Sequence, residues 1–169
     1  MRSRLYESTQ SLGENKADIP QIQISVLGKF QLIRGETLIK EKEWSAAKKP
    51  QMLLKALITR GAENVLIDLL IDDLWPDTAL DDGKQNFRVV LHRLRKILGH
   101  LEKTGSPYIS FDRNMVSLNR SLVLLDIDEF LSLCNRAKKA EQAGDIKGSI
   151  GFGNAAIELY KGDYLEDEL

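Results

Sequence analysis

The sequence is poor in the residues that covalent and metal chemistry need. Cys134 is the only cysteine among 169 residues, and His92 and His100 are the only histidines. One cysteine excludes an intrachain disulfide and a cysteine metal cluster. Two histidines with no paired nucleophile or ligand set supply neither nucleophilic catalysis nor a metal site. Cys134 lies on an apolar helical stripe in "FLSLCNRAKKA" and reads as a packing residue. "GSIGFGN" (148–154) has a superficial glycine spacing, but it sits inside a helical pattern with no preceding strand. The aspartates between Asp68 and Asp82 lack calcium-loop spacing and read as helix N-terminal charge and solvated surface. The expectation is therefore a protein that is not an enzyme and needs neither metal nor cofactor.

Long apolar runs are missing too. None approaches the roughly 20 residues of a membrane span, and the polar start "MRSRLYESTQSLGENKAD" has no signal-peptide core. A cytoplasmic protein with no membrane partner is expected. With 43% hydrophobic and 29% charged residues, the chain can bury a real core.

One further absence is local. No carboxylate occurs from Gly83 to Leu101, where Arg88, His92, Arg93, Arg95 and Lys96 lie opposite the helically spaced Phe87, Val90, Leu91, Leu94, Ile97 and Leu98. A merely solvated helix normally mixes both signs three or four residues apart. The formal net charge of −1 hides a wider asymmetry: residues 1–125 hold 19 Lys and Arg against 15 Asp and Glu, and residues 126–169 hold 5 against 10. Such a split fits one part that meets a polyanion and another that does not.

Periodicity orders the rest. Residues 1–20 carry no pattern and read as a disordered arm or linker. "QIQISVLGKFQLIRGETLI" alternates with turn residues between its runs, an antiparallel meander with Ile22, Ile24 and Val26 on one face. About four turns of helix are predicted in "SAAKKPQMLLKALITRG", with Met52, Leu53, Ala56 and Leu57 inward. A shorter helix follows in "VLIDLLIDDLWPD", packing through Leu69, Leu70, Leu74 and Trp75 and stopped by Pro76. "TALDDG" reads as the connection, with Asp81 or Asp82 as N-cap of the basic helix. "PYISFDRNMVSLN" is a hairpin turning at Arg113-Asn114. From Asp126 the pattern is helical: Phe130, Leu133, Cys134 and Ala137, then Ile150, Ala155, Ile157 and Leu159, define a helical hairpin. Such a unit cannot bury its whole apolar face alone and must pack on the first domain, dimerise or continue into further repeats. Gly148, Gly151 and Gly153 weaken its second helix and would allow close approach or a kink.

The predicted class is α+β: a winged helix-turn-helix with an N-terminal antiparallel sheet and a C-terminal β-hairpin wing, followed by an all-α helical hairpin. "ISVLGKFQL", "KKPQMLLKALITRG", "LIDDLWPD", "NFRVVLHRLRKILG", "YISFDRNMVSLN", "LDIDEF" and "AIELYKGDYL", in this order over residues 22–169, resemble bacterial transcriptional activators of the SARP type. The resemblance implies an OmpR-like winged-helix domain over 21–121. Residues 122–169 would then be the first helical hairpin of a tetratricopeptide-like bacterial transcriptional activator domain, with the later repeats expected there missing. It also implies activation through RNA polymerase on promoter DNA.

A helix in the major groove presents its exposed face to base edges and its flanks to phosphates. Arg88 is placed to bond a guanine bidentately, Val89 to meet a thymine methyl, and His92 lies on the same face. Lys84, Gln85, Asn86, Arg93, Arg95 and Lys96 are placed for phosphate or mixed contacts. Arg113 and Asn114 at the hairpin tip would reach the neighbouring minor groove or backbone, and Lys48 and Lys49 would meet phosphate near a helix N-terminus. Self-association on repeated half-sites completes this expectation for a regulator acting on nucleoid DNA. The competing reading is a protein-interaction module that uses the helical hairpin and leaves the basic helix off DNA.

Overall fold

A computed structural model describes residues 19–44, 48–99 and 106–166. Strands β1 (Ile22–Ser25), β2 (Gln31–Arg34) and β3 (Thr37–Leu38) form the expected antiparallel meander, with Ile22 opposite Arg34 and Ile33 opposite Leu38. Ile22, Ile24 and Val26 all point into the core, as their alternation predicts. The first departure is a fourth strand. β7 (Val123–Leu125) lies parallel to β1, in the order β3-β2-β1-β7, although its three residues fall in the stretch grouped by sequence with the helices. A run that short shows no usable periodicity.

Helices α1 (Lys49–Thr59), α2 (Ile67–Leu74) and α3 (Leu80–Leu98) pack against one another and share one core with this sheet and a second one. The second sheet holds β5 (Ile109–Asp112) and β6 (Met115–Leu118), which form the hairpin, and β4 (Val65–Leu66), which pairs with β6. Val65 and Leu66 were expected to open the second helix. They are instead extended and paired with Val116 and Met115, so the wing is stitched to the helix-turn-helix by backbone hydrogen bonds.

Several helical details differ from expectation. α1 has 11 residues, not four turns, and exposes Met52, because Leu53, Leu54, Leu57 and Ile58 already fill its inner face. Leu69 on α2 is likewise exposed. α3 starts at Leu80 with Ala79 at the N-cap and no side-chain cap. Asp81 and Asp82 therefore lie inside the first turn, where their charge faces the positive end of the helix dipole. Gly83 is required at its place, since a Cβ there would come within 2.5 Å of Ile71 Cγ2 on α2.

α4 (Asp126–Gln142) and α5 (Ile146–Leu159) form the helical hairpin. Asp145 caps α5 by accepting a 2.9 Å hydrogen bond from Gly148 N, and the helix runs unbroken through its three glycines. Only Leu133 and Ala156 are buried between the two helices; Cys134, Ile150 and Ile157, expected to point inward, are exposed. A two-helix unit covers only the arc where its helices meet, so a broad apolar stripe stays partly uncovered.

The hairpin is fastened to the sheet at both ends. Asp126 accepts from Val26 N at 2.9 Å and from Leu27 N at 3.1 Å. The chain then returns along the same edge, where Leu165 N donates to Val26 O at 2.8 Å and Gly28 N to Asp163 O at 3.0 Å. Leu165 enters the same core as Ile22 and Leu53. At the other end of the described chain, Ile19 packs on the core and Pro20 O accepts from Tyr108 Oη at 2.7 Å, so the last two residues assigned to a disordered arm are held. The rest of that arm and His100 lie outside the described residues.

Candidate nucleic-acid interface

α3 carries the site. Phe87, Val90, Leu91, Leu94 and Leu98 are buried against α1, α2 and the wing, with the Phe87 and Phe111 rings 6.1 Å apart. The opposite face is therefore fixed in orientation by the core beneath it. Gln85, Asn86, Arg88, Val89, His92, Arg93 and Lys96 are all exposed on that face and its flanks, and Lys84 is half-buried. Val89 is 48% exposed, a β-branched apolar residue held in water among cations. Among the described residues no carboxylate of α3 lies beyond Asp82.

The other end of α3 is held by the first sheet. Arg34 on β2 donates from Nη1 to the Ile97 carbonyl at 3.2 Å, filling one of the acceptors that a helix C-terminus leaves open. Arg95 behaves differently from its neighbours. It is half-buried, its Nε has no hydrogen-bond partner, and burial pushes its guanidinium below the ordinary arginine range. It remains a cation, with its stem committed to packing.

The hairpin tip turns on Arg113 and Asn114, both left-handed, with φ of 47° and 63°. Two successive positive φ values are the signature of the type I′ turn that suits a tight hairpin. Asparagine tolerates this conformation, whereas arginine occupies it at a cost. The Arg113 side chain projects into solvent, with only a 3.7 Å approach to the equally exposed Asp112.

Lys48 and Lys49 separate in the structure. Lys48 is exposed before α1. Lys49 donates from Nζ to Leu74 O at 2.6 Å and lies 5.4 Å from the centre of the Trp75 ring. That ammonium ties α1 to the end of α2 and is not directed outward with the others. The structure thus brings the α3 residues onto one surface and sets Lys49 apart. Sequence reasoning missed Arg34, whose role shows only once β2 meets the end of α3. Among the described residues no group of three His, Cys, Asp or Glu side chains is placed to hold a metal ion, and no helix is long and apolar enough to cross a membrane.

No protein-family model matches the chain. Over 147 residues it is 27% identical to the regulatory protein AfsR of Streptomyces griseus, a match covering 85% of this chain and 14% of that protein. Its fold is similar to that of EmbR of Mycobacterium tuberculosis, solved in complex with a low affinity phosphopeptide. The TM-score is 0.69 at 20% identity, over 88% of this chain and 38% of the other. The chain therefore spans only a minor part of the length of either protein. Sequence and fold together bear out the resemblance to SARP-type regulators, and the structural likeness bears out the α+β winged-helix architecture.

Proposed function

We propose that the chain is a sequence-specific double-stranded DNA-binding transcription regulator that lays α3, over residues 83–98, in the major groove. The observation that carries this reading is the exposed face of α3 beyond its first turn, which bears Arg88, His92, Arg93 and Lys96 and no carboxylate, together with a wing tipped by an exposed arginine. Arg88, Val89 and His92 read base edges. Gln85, Asn86, Arg93 and Lys96 position the helix on phosphates, with Lys84 and Lys48 at the margins. Arg113 and Asn114 follow the neighbouring minor groove or backbone. Arg95 contributes its charge from a half-buried position, and Lys49 serves the fold.

Residues 21–121 constitute the DNA-binding domain and 122–169 the beginning of a tetratricopeptide-like activator domain. Activation proceeds by bringing RNA polymerase to the promoter, with two or more copies bound on repeated half-sites. The protein acts on nucleoid DNA in the cytoplasm and needs neither catalytic residues nor a cofactor for this role. The test is selection from a random pool of double-stranded DNA at near-physiological salt. A recovered motif with a log K against log salt slope of about −0.9 per phosphate contact is expected. Failure of the folded chain to enrich any sequence would overturn the reading in favour of a protein-interaction module, which the exposed apolar residues of α5 would then serve.

A further inference from the structure

The exposed face of α5 is unlike the rest of the surface. Ile146 and Ile150 are each 59% exposed and Ile157 is 70% exposed, and at 100° per residue all three fall within one narrow arc, about 100° round the helix from buried Ala156. Gly153 borders the same arc, and a Cβ there would meet no atom within 4 Å among the described residues, so no contact seen there accounts for the missing side chain. The result is an apolar stripe three turns long with a flat centre.

The charges beside this stripe say what fits it. Lys147 and Glu158 are eleven residues apart, three turns, and both exposed, so they share one flank at opposite ends, with exposed Asn154 between them. When two copies of one helix cross antiparallel about a two-fold axis, each flank faces the same flank of the other, running the opposite way. Lys147 of each copy then meets Glu158 of the other. The same crossing sets Ile150 against the second Ile157 on either side of Gly153, where the helices approach most closely. A parallel pairing would place these charges away from one another.

We propose that α5 is a self-association surface, occupied by α5 of a second copy of this chain in an antiparallel, two-fold arrangement centred near Gly153. The inference names a surface for the pairing included in the functional reading. It is tested without DNA, so the two can fail separately. The measurement is sedimentation equilibrium of the 169-residue chain across micromolar to millimolar concentration, with far-ultraviolet circular dichroism confirming that each variant is folded. A concentration-dependent dimer is expected. Ile157→Arg should weaken it on the order of 100-fold, because the side chain is changed twice per dimer. Lys147→Glu and Glu158→Lys should each weaken it on the order of tenfold, and the double variant should recover most of the loss. A chain monomeric throughout the range, or a dimer indifferent to Ile157→Arg, would overturn the proposal. Failure of the double variant to recover would overturn the antiparallel arrangement.

Discussion

α3 and α5 each turn one face outward, and they are held in opposite ways. α3 is fixed along its length by five buried side chains, and its outer face is basic. α5 has one buried residue, and its outer face carries an apolar stripe; its unit is held at the ends, by Asp126 and by the return of the chain at Leu165. A recognition surface that must fit a rigid groove needs each side chain fixed to within a fraction of an ångström. A surface that meets a partner by apolar contact tolerates adjustment, because the hydrophobic effect has no direction.

The comparison breaks first at Phe87. Phe87→Ala should cost about 3–5 kcal/mol in urea unfolding and abolish DNA binding, since it removes the ring beneath the reading face. An equally stable variant would mean that α3 is not anchored as described. Asp126→Ala removes charge-assisted hydrogen bonds to two backbone N–H groups. A loss of roughly 1.5–3 kcal/mol is expected, with hydrogen exchange rising across β1 and α4 while α3 stays protected.

On the DNA side, Arg88→Ala should cost ~1–3 kcal/mol at one base position. Arg93→Ala should weaken all sequences evenly and lower the salt slope by about one. Equal, sequence-independent losses from both would defeat the assignment of Arg88 as a base reader. Arg113→Gly separates fold from function at the wing. Removing a side chain from left-handed backbone should raise stability by about 0.5–1 kcal/mol while weakening DNA binding. A stabilised variant with undiminished affinity would remove the wing from the interface. The smallest effect belongs to Arg60→Ala. Its ion pair with Asp73, at 2.6 Å, sits at the surface and should be screened away as salt rises.

Most of this arrangement was legible because its signals are periodic. The buried and exposed faces of α3, the meander and the Arg113-Asn114 turn all follow from spacing and turn chemistry. What escaped was decided by distant partners. Val65, Leu66 and Val123–Leu125 carry too few residues to alternate, and become strands because β6 and β1 offer them backbone hydrogen bonds. Lys49 looked like any cation near a helix start until the Leu74 carbonyl and Trp75 claimed it. Cys134 and Ile157 looked inward because helical spacing marks an apolar stripe, while only packing decides how much of that stripe is covered. Arg95 shows the reverse: a charge in the right register, drawn down by the surface it lies on.

The parallel pairing of β1 with β7 has a consequence for synthesis. Ile22 waits for Val123, and Gly28 for Asp163, so β1 pairs early with β2 but keeps its other side unpaired until residues far downstream are made. Until then the edge of β1 is an open template, and a nascent chain stalled before β7 would carry the meander and α3 with that edge unpaired. β7 closes the sheet before α4 is made, and the bonds of Gly28 and Val26 to Asp163 and Leu165 follow only once the whole helical hairpin has emerged.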